Sequence, residues 1–247
     1  MYERLEQEKE LVIKEYKTSL ISLKPEFKLK NIEAFKEKAE MAFEILEPQI
    51  HVVFGNAKLP ESTAIVSCGT WFNCPGRTEG FCSLATKCYD KCREVMSHKI
   101  TKFRLEEEIA FRALNPQEIA QSVIQQIKIH NAKPNTINIK QIRWNEVGEL
   151  RNQEDLNKMI EVSNIVFNKL GIESYTYTHN KYLDFDIERP HLTINGSGFM
   201  IDNEYRVIPK EEFKNIKESY YPCDCDCTKC NVCAKKHGIL IIEEERT

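Results

Sequence analysis

A chain of 247 residues with 41% hydrophobic and 30% charged side chains has the balance of a folded globular protein rather than a disordered one, with length for one large domain or two small ones. Thirty-five basic against 38 acidic side chains give a net charge of -3, without the basic excess of a nucleic-acid or membrane surface. No apolar run approaches the roughly 18–20 residues of a membrane span, and the charged start MYERLEQEKELV lacks the apolar centre of a signal peptide, so the expected location is the cytoplasm.

In chain order, Leu5, Val12, Tyr16 and Leu20 recur at helical spacing and predict a helix over 2–23, ended by Pro25. Ile32, Phe35, Ala39, Ala42, Phe43 and Leu46 predict a second over 31–46, stopped by Pro48. Residues 1–48 thus read as an N-terminal helical extension, a cap or partner surface with a solvated charged face. Strands are expected over 50–54 and 63–67, around a turn-rich 55–60 loop. A Gly-, Pro- and Asn-rich loop then runs from Cys68 to Phe81. A helix over 83–96 would set Cys88 and Cys92 on one face. Helices follow over 104–114 and 116–130, with Asn115 as N-cap and Pro116 in the first turn. The rhythm then becomes a strand over 136–144, a polar loop over 145–149, a helix over 154–170 closed by Gly171, and strands over 173–178, 191–195 and 205–208. A short helix over 211–217 and a terminal strand over 238–242 complete it. This alternation implies an α/β domain over 49–247 with a mostly parallel sheet. The strands are too few for an eight-fold barrel, so a partial, open, TIM-like barrel is expected.

The ten cysteines fall into two groups separated by about 130 residues. The downstream group, Cys223, Cys225, Cys227, Cys230 and Cys233, puts five in eleven residues. Its last three read C-x-x-C-x-x-C, which resembles the ligand run of bacterial ferredoxins. Asp224 and Asp226 would add negative charge and lower a cluster's potential. The upstream group is Cys68, Cys74, Cys82, Cys88 and Cys92, more widely spaced, with Cys74-Pro75-Gly76 in a loop after a strand. Without export, cysteines at this density read as metal ligands or redox groups rather than disulfides. Thiolates suit iron–sulfur clusters or zinc. The plainer alternatives are a zinc site or buried free cysteines upstream, and a zinc knuckle with His237 downstream. Arg143, Glu146 and Glu149 follow a strand on its carboxyl side, where barrel-like α/β folds bind ligands; a salt-bridged turn explains them equally well. Tyr175, Tyr177, Thr178 and His179 end the next strand in the same sense, and the tyrosines also fit a core role. Arg143, Glu146 and Tyr177 are the candidate cofactor-binding residues. No catalytic residue is marked: phosphate loop, nucleophile elbow and H-E-x-x-H are all missing.

With these residues in hand, the chain resembles the phage-encoded family named after "gene product 88". The likeness rests on Asn56-Ala57-Lys58-Leu59-Pro60, on Cys74-Pro75, Cys82 and Cys88-Tyr89, on Arg143-Trp144-Asn145-Glu146-Val147-Gly148-Glu149-Leu150, on Tyr175-Thr176-Tyr177-Thr178, and on the downstream run. It spans residues 50–235. It implies an iron–sulfur protein of the host cytoplasm, on a partial barrel distantly similar to that of radical S-adenosylmethionine (SAM) enzymes. One or two 4Fe-4S clusters are then expected. Cys74, Cys82, Cys88 and Cys92 would supply the upstream ligands, and Cys223, Cys225, Cys227, Cys230 and Cys233 the downstream ones. Such a protein would serve electron transfer, redox sensing or an uncharted reaction with a redox partner or substrate. A radical SAM-like enzyme, with SAM on an open iron of the upstream cluster, is the second reading. Against it, the chain lacks C-x-x-x-C-x-x-C: Cys88-x-x-x-Cys92 supplies half, and no glycine-rich SAM-contacting segment is recognisable. A zinc-stabilised binding module, with the N-terminal helices as partner surface, is the third.

Overall fold

The computed structural model describes residues 2–22, 32–88, 93–94 and 97–245. Helices form where apolar residues recur every three or four positions. Helix α1 (Tyr2–Ile21) buries Val12, Tyr16 and Leu20, and α2 (Ile32–Glu44) buries Phe35, Ala39 and Phe43. After the single turn α3 (Pro75–Thr78) come α4 (His98–Ala113), α5 (Pro116–Asn131) and α6 (Gln153–Leu170). The expected start of α5 is present as a capping box: Asn115 accepts from the Glu118 N–H, and Glu118 accepts from the Asn115 N–H. Gly171 closes α6 in the left-handed region, φ 68°.

The strands are β1 (Val53–Phe54), β2 (Thr63–Val66), β3 (Gln141–Trp144), β4 (Glu173–Thr178), β5 (Leu192–Ser197), β6 (Asn203–Ile208), β7 (Tyr220–Cys223) and β8 (Leu240–Glu244). They form one sheet in the order β1-β2-β3-β4-β5-β6-β8-β7. Every pair is parallel except β1 with β2. The sheet stays open, with β1 and β7 as its edges. The mixed α/β architecture, mostly parallel, with N-terminal helices before it, is therefore as the sequence implied. Helical crossovers, the usual connection between parallel neighbours, carry β2 to β3 and β3 to β4. The β5–β6 link has no helix. The chain doubles back at once over 198–202, and Gly196 permits it, since a Cβ there would overlap the Phe199 carbonyl oxygen at 2.1 Å.

Two cores result. Ala64, Val66, Ile142, Trp144, Leu192 and Ile194 of the sheet pack on Phe111, Ile119, Val123, Ile127, Leu156 and Val166 of the helices, each worth about 1.5–3 kcal/mol for a large aliphatic side chain fully buried. In the second, Val12, Tyr16, Leu20, Phe35 and Phe43 enclose Trp71 and Phe72. The Phe72 ring lies 4.9 Å from Phe35, stacked, and 4.8 Å from Tyr16. The N-terminal helices thus pack directly on the loop that begins the upstream cysteine group.

Several expected elements differ. The helix through Cys88 is replaced by a 3-10 turn at Ala85–Lys87, and Cys88 is extended at φ -57°, ψ 121°. The Ala85 carbonyl, which a continuing helix would need, accepts the Trp71 indole N–H at 3.3 Å. Cys92 lies outside the described residues. Strands 50–54 and 136–144 shorten to β1 and β3, α4 starts at His98 instead of 104, and 211–217 is a 3-10 stretch, Lys210–Asn215. Strand β7 is additional to the expected elements; it contains Pro222, and its edge position tolerates the missing N–H. No described helix is long and apolar enough to cross a membrane.

Candidate functional site

Alternation along the parallel strands separates two faces. Ile142, Trp144, Leu192 and Ile194 point to the helices. Arg143, Tyr175, Tyr177, Ser197, Tyr205 and Glu243 line a cavity of about 880 Å³ on the other face. Its remaining walls are the Asn56–Leu59 turn, Ser83 and Leu84 of the upstream loop, and all five downstream cysteines.

Strand β7 delivers Cys223 to this cavity. The chain then reverses through Cys225, held at φ 62°, a conformation costly without glycine. A turn at Asp226–Lys229, closed by a 3.1 Å backbone bond, leads to Cys230 and a 3-10 turn at Val232–Ala234. Asn195 and Asn203 tie this last stretch to the sheet through the Cys233 and Lys235 carbonyls, both at 2.8 Å. Tyr221 Oη lies 3.6 Å from Cys230 Sγ, and the Tyr177 hydroxyl bonds to Cys233. The Arg143 guanidinium stacks 4.1 Å over Tyr177 and 5.4 Å over Tyr175, while its Nε donates to the Trp144 carbonyl at 3.1 Å. Burial pushes the thiols of Cys223 (to about 12), Cys227 and Cys233 up, and their neighbours' thiolates add to it; Arg143 pulls Cys227 and Cys233 back down. Thiols gathered in this way resist ionising until a cationic centre offsets their charge.

Upstream, Cys74 precedes α3, whose first position is Pro75, an arrangement that needs no N–H there. The Cys82 N–H returns to the Gly76 carbonyl at 2.9 Å. A Cβ on Gly76 would stand 2.8 Å from Cys82 Cβ and 3.6 Å from Cys74 Sγ. The bare glycine therefore keeps open the space beside both cysteines. Burial raises the Cys74 thiol, and the charges of Glu149, Cys82 and Cys88 raise it further, so these three cysteines share one field. Glu149 is itself pushed up to about 7 by burial, against hydrogen bonds from Thr178 Oγ1 (2.6 Å) and the N–H groups of His179 (2.7 Å) and Leu150 (2.8 Å).

Buried carboxylates hold the loop that leads to Cys74. The Trp71 N–H donates to Glu94 at 2.7 Å, Thr70 N–H to Glu108 at 3.0 Å, and Ser67 N–H to Glu107 at 3.4 Å. Arg104 pairs with Glu107 (3.1 Å) and Glu146 (3.0 Å), and Arg112 with Glu108 and Glu15.

Of the residues singled out from sequence, Arg143, Tyr177 and the five downstream cysteines share one cavity, and Cys74, Cys82 and Cys88 lie in one another's field beside Ser83 and Leu84. Glu146 lines the cavity but is clasped by Asn56 Nδ2 (2.7 Å) and Arg104, so its plain role is fixing the Asn56–Pro60 turn. Cys68 is in the apolar core. The anchors Glu94, Glu107, Glu108, Asn195 and Asn203 were not singled out. Among the described residues no three His, Cys, Asp or Glu side chains group closely enough to hold one metal ion; a cluster instead sets one thiolate on each iron. The donor chemistry and the space left at Gly76 fit such a group. No protein-family model, curated protein or solved structure matches the chain.

Proposed function

We propose that the chain is an iron–sulfur protein, with Cys74, Cys82 and Cys88 as one ligand group and four of Cys223, Cys225, Cys227, Cys230 and Cys233 as the other. The observation that carries this reading is the gathering of five thiols around one cavity, with a second trio beside the Ser83–Leu84 wall. Soft donors at that density suit iron and sulfide. A bound cluster would supply a one-electron redox centre there. The chain's own residues would tune it: Arg143 as counter-charge, Tyr177 as hydrogen-bond donor to Cys233, and burial as the barrier to water. The open parallel sheet is read as a partial TIM-like barrel of the radical-SAM kind, in line with the resemblance to the "gene product 88" family.

The second reading, a radical SAM-like enzyme, draws on the upstream trio. Cys74, Cys82 and Cys88 would hold a four-iron cluster with fewer thiolates than irons, and the neighbouring cavity is large enough for a small molecule.

The test is anaerobic purification followed by an absorption spectrum and a count of iron, sulfide and zinc. Matched iron and sulfide with a brown chromophore is the expected result. Zinc without sulfide would overturn the proposal and leave the zinc-stabilised module. Incubation with SAM and a reductant then decides the second reading by the release, or not, of 5′-deoxyadenosine.

A further inference from the structure

Two side chains in the sheet break its pattern. Asn195 on β5 and Asn203 on β6 are both fully buried, at 0% exposure, and stand opposite each other in parallel register. Polar amides at such positions are costly unless each polar atom is bonded. Here they are. Asn195 Nδ2 donates to the Thr176 carbonyl at 3.0 Å and to the Cys233 carbonyl at 2.8 Å, while its Oδ1 accepts from Asn203 Nδ2 at 3.0 Å. Asn203 Nδ2 also donates to the Lys235 carbonyl at 2.8 Å, and its Oδ1 accepts from the His237 N–H at 3.0 Å. Thr193 Oγ1 reaches the Ala234 carbonyl at 3.3 Å, and the Gly238 N–H donates to the Asp202 carbonyl at 2.8 Å. The network closes only when residues 233–238 lie on it. Remove that segment, and these two side-chain amides lose three hydrogen bonds between them.

We infer that Asn195 and Asn203 are positioning residues, a neutral latch that holds the downstream cysteine run in place before anything binds its thiols. The run is preformed, instead of ordering around a metal. The latch does not depend on what the thiols hold. Its effect on iron content does rest on the iron–sulfur reading above.

The test uses the full chain and two variants. Asn195→Asp keeps the size but turns an acceptor toward two carbonyls; Asn203→Ala removes the second anchor. Each protein is purified anaerobically and its iron counted. It is then stripped of metal with a chelator under reducing conditions, and alkylation rates are followed cysteine by cysteine. In the wild type, the His237 and Gly238 amides are expected to be protected from hydrogen exchange. In Asn195→Asp, Cys230 and Cys233 should react about tenfold faster or more, the effect of leaving one buried group unbonded. Cys74 and Cys82 in the same molecules should stay within about twofold. Iron per chain should fall below that of the wild type.

A rise at all four cysteines together would mean general loosening and would overturn the latch. So would unprotected His237 and Gly238 amides in the wild type, a result that needs no variant to fold. Iron-free wild type with the selective change intact would sink the iron–sulfur reading and keep the latch. Iron at wild-type level in both variants with no selective change would do the reverse.

Discussion

Around the upstream cysteines the anchors are carboxylates that accept backbone N–H groups, and around the downstream cysteines they are amides that donate to backbone carbonyls. Glu94, Glu107 and Glu108 grip Trp71, Ser67 and Thr70, with buried arginines as counter-charges. Asn195 and Asn203 grip Cys233 and Lys235 without charge. The upstream loop also borrows stability from α1 and α2 through Phe72, whereas the downstream run is tied to the sheet through Asn195 and Asn203. The contrast teaches that one half of the site is held by paired charges whose strength follows pH, and the other by a network that pH leaves alone.

The largest effect should come from breaking the charged side. Glu108→Ala leaves Arg112, 4% exposed, with Glu15 alone among the described carboxylates, and removes the acceptor of the Thr70 N–H and one of the two acceptors of Asn73 Nδ2. Urea unfolding should show a loss of about 3–5 kcal/mol; a loss under about 1 kcal/mol would mean the carboxylates are not anchors. Next is Gly76→Ala. Its Cβ would meet Cys82 at 2.8 Å, a crowding worth about 1–3 kcal/mol. Iron should fall on the upstream side while the alkylation rates of Cys230 and Cys233 hold; a change at both groups would break the separation.

pH sharpens the comparison further. Burial pushes Glu107 to about 8, from an ordinary 4.5, with Arg104 opposing. A carboxyl that binds its proton more tightly when folded adds stability below its unfolded pKa and loses it as pH rises through the folded one. The contribution of Glu107 to stability should therefore decline from about pH 4.5 to about pH 8 and then level. Glu107→Gln should flatten part of that slope in urea titrations at stepped pH, and Asn195→Asp should not. The smallest effect is at Arg143. Loss of its stacking on Tyr177 in Arg143→Leu should cost about 0.5–1 kcal/mol. Because Arg143 holds the Cys227 and Cys233 thiols down, the variant's metal-free chain should alkylate more slowly at both, with Cys74 unaffected.

Much of the frame was legible in the residues. Asn115 and Glu118 announced the start of α5, and Gly171 the end of α6. The rest was hidden for physical reasons. Glu106, Glu107 and Glu108 are consecutive, so they point to three faces of α4 and show no periodicity; a run of like charges reads as solvated until the fold buries all three. Cys88 looked helical because nothing local reveals that the Trp71 indole takes the Ala85 carbonyl. Asn195 and Asn203 are single polar residues in short strands, and only the register of β5 with β6 makes them a pair.

The central claim is that both cysteine groups hold iron–sulfur centres, and the most direct measurement is iron and acid-labile sulfide per chain in the wild type, Cys82→Ser, Cys230→Ser and the double variant, all purified anaerobically. Each single variant should lose a share of iron and sulfide together, and the double should be colourless. Undiminished iron in either single variant would contradict the assignment of that group, and iron retained in the double would contradict the account as a whole.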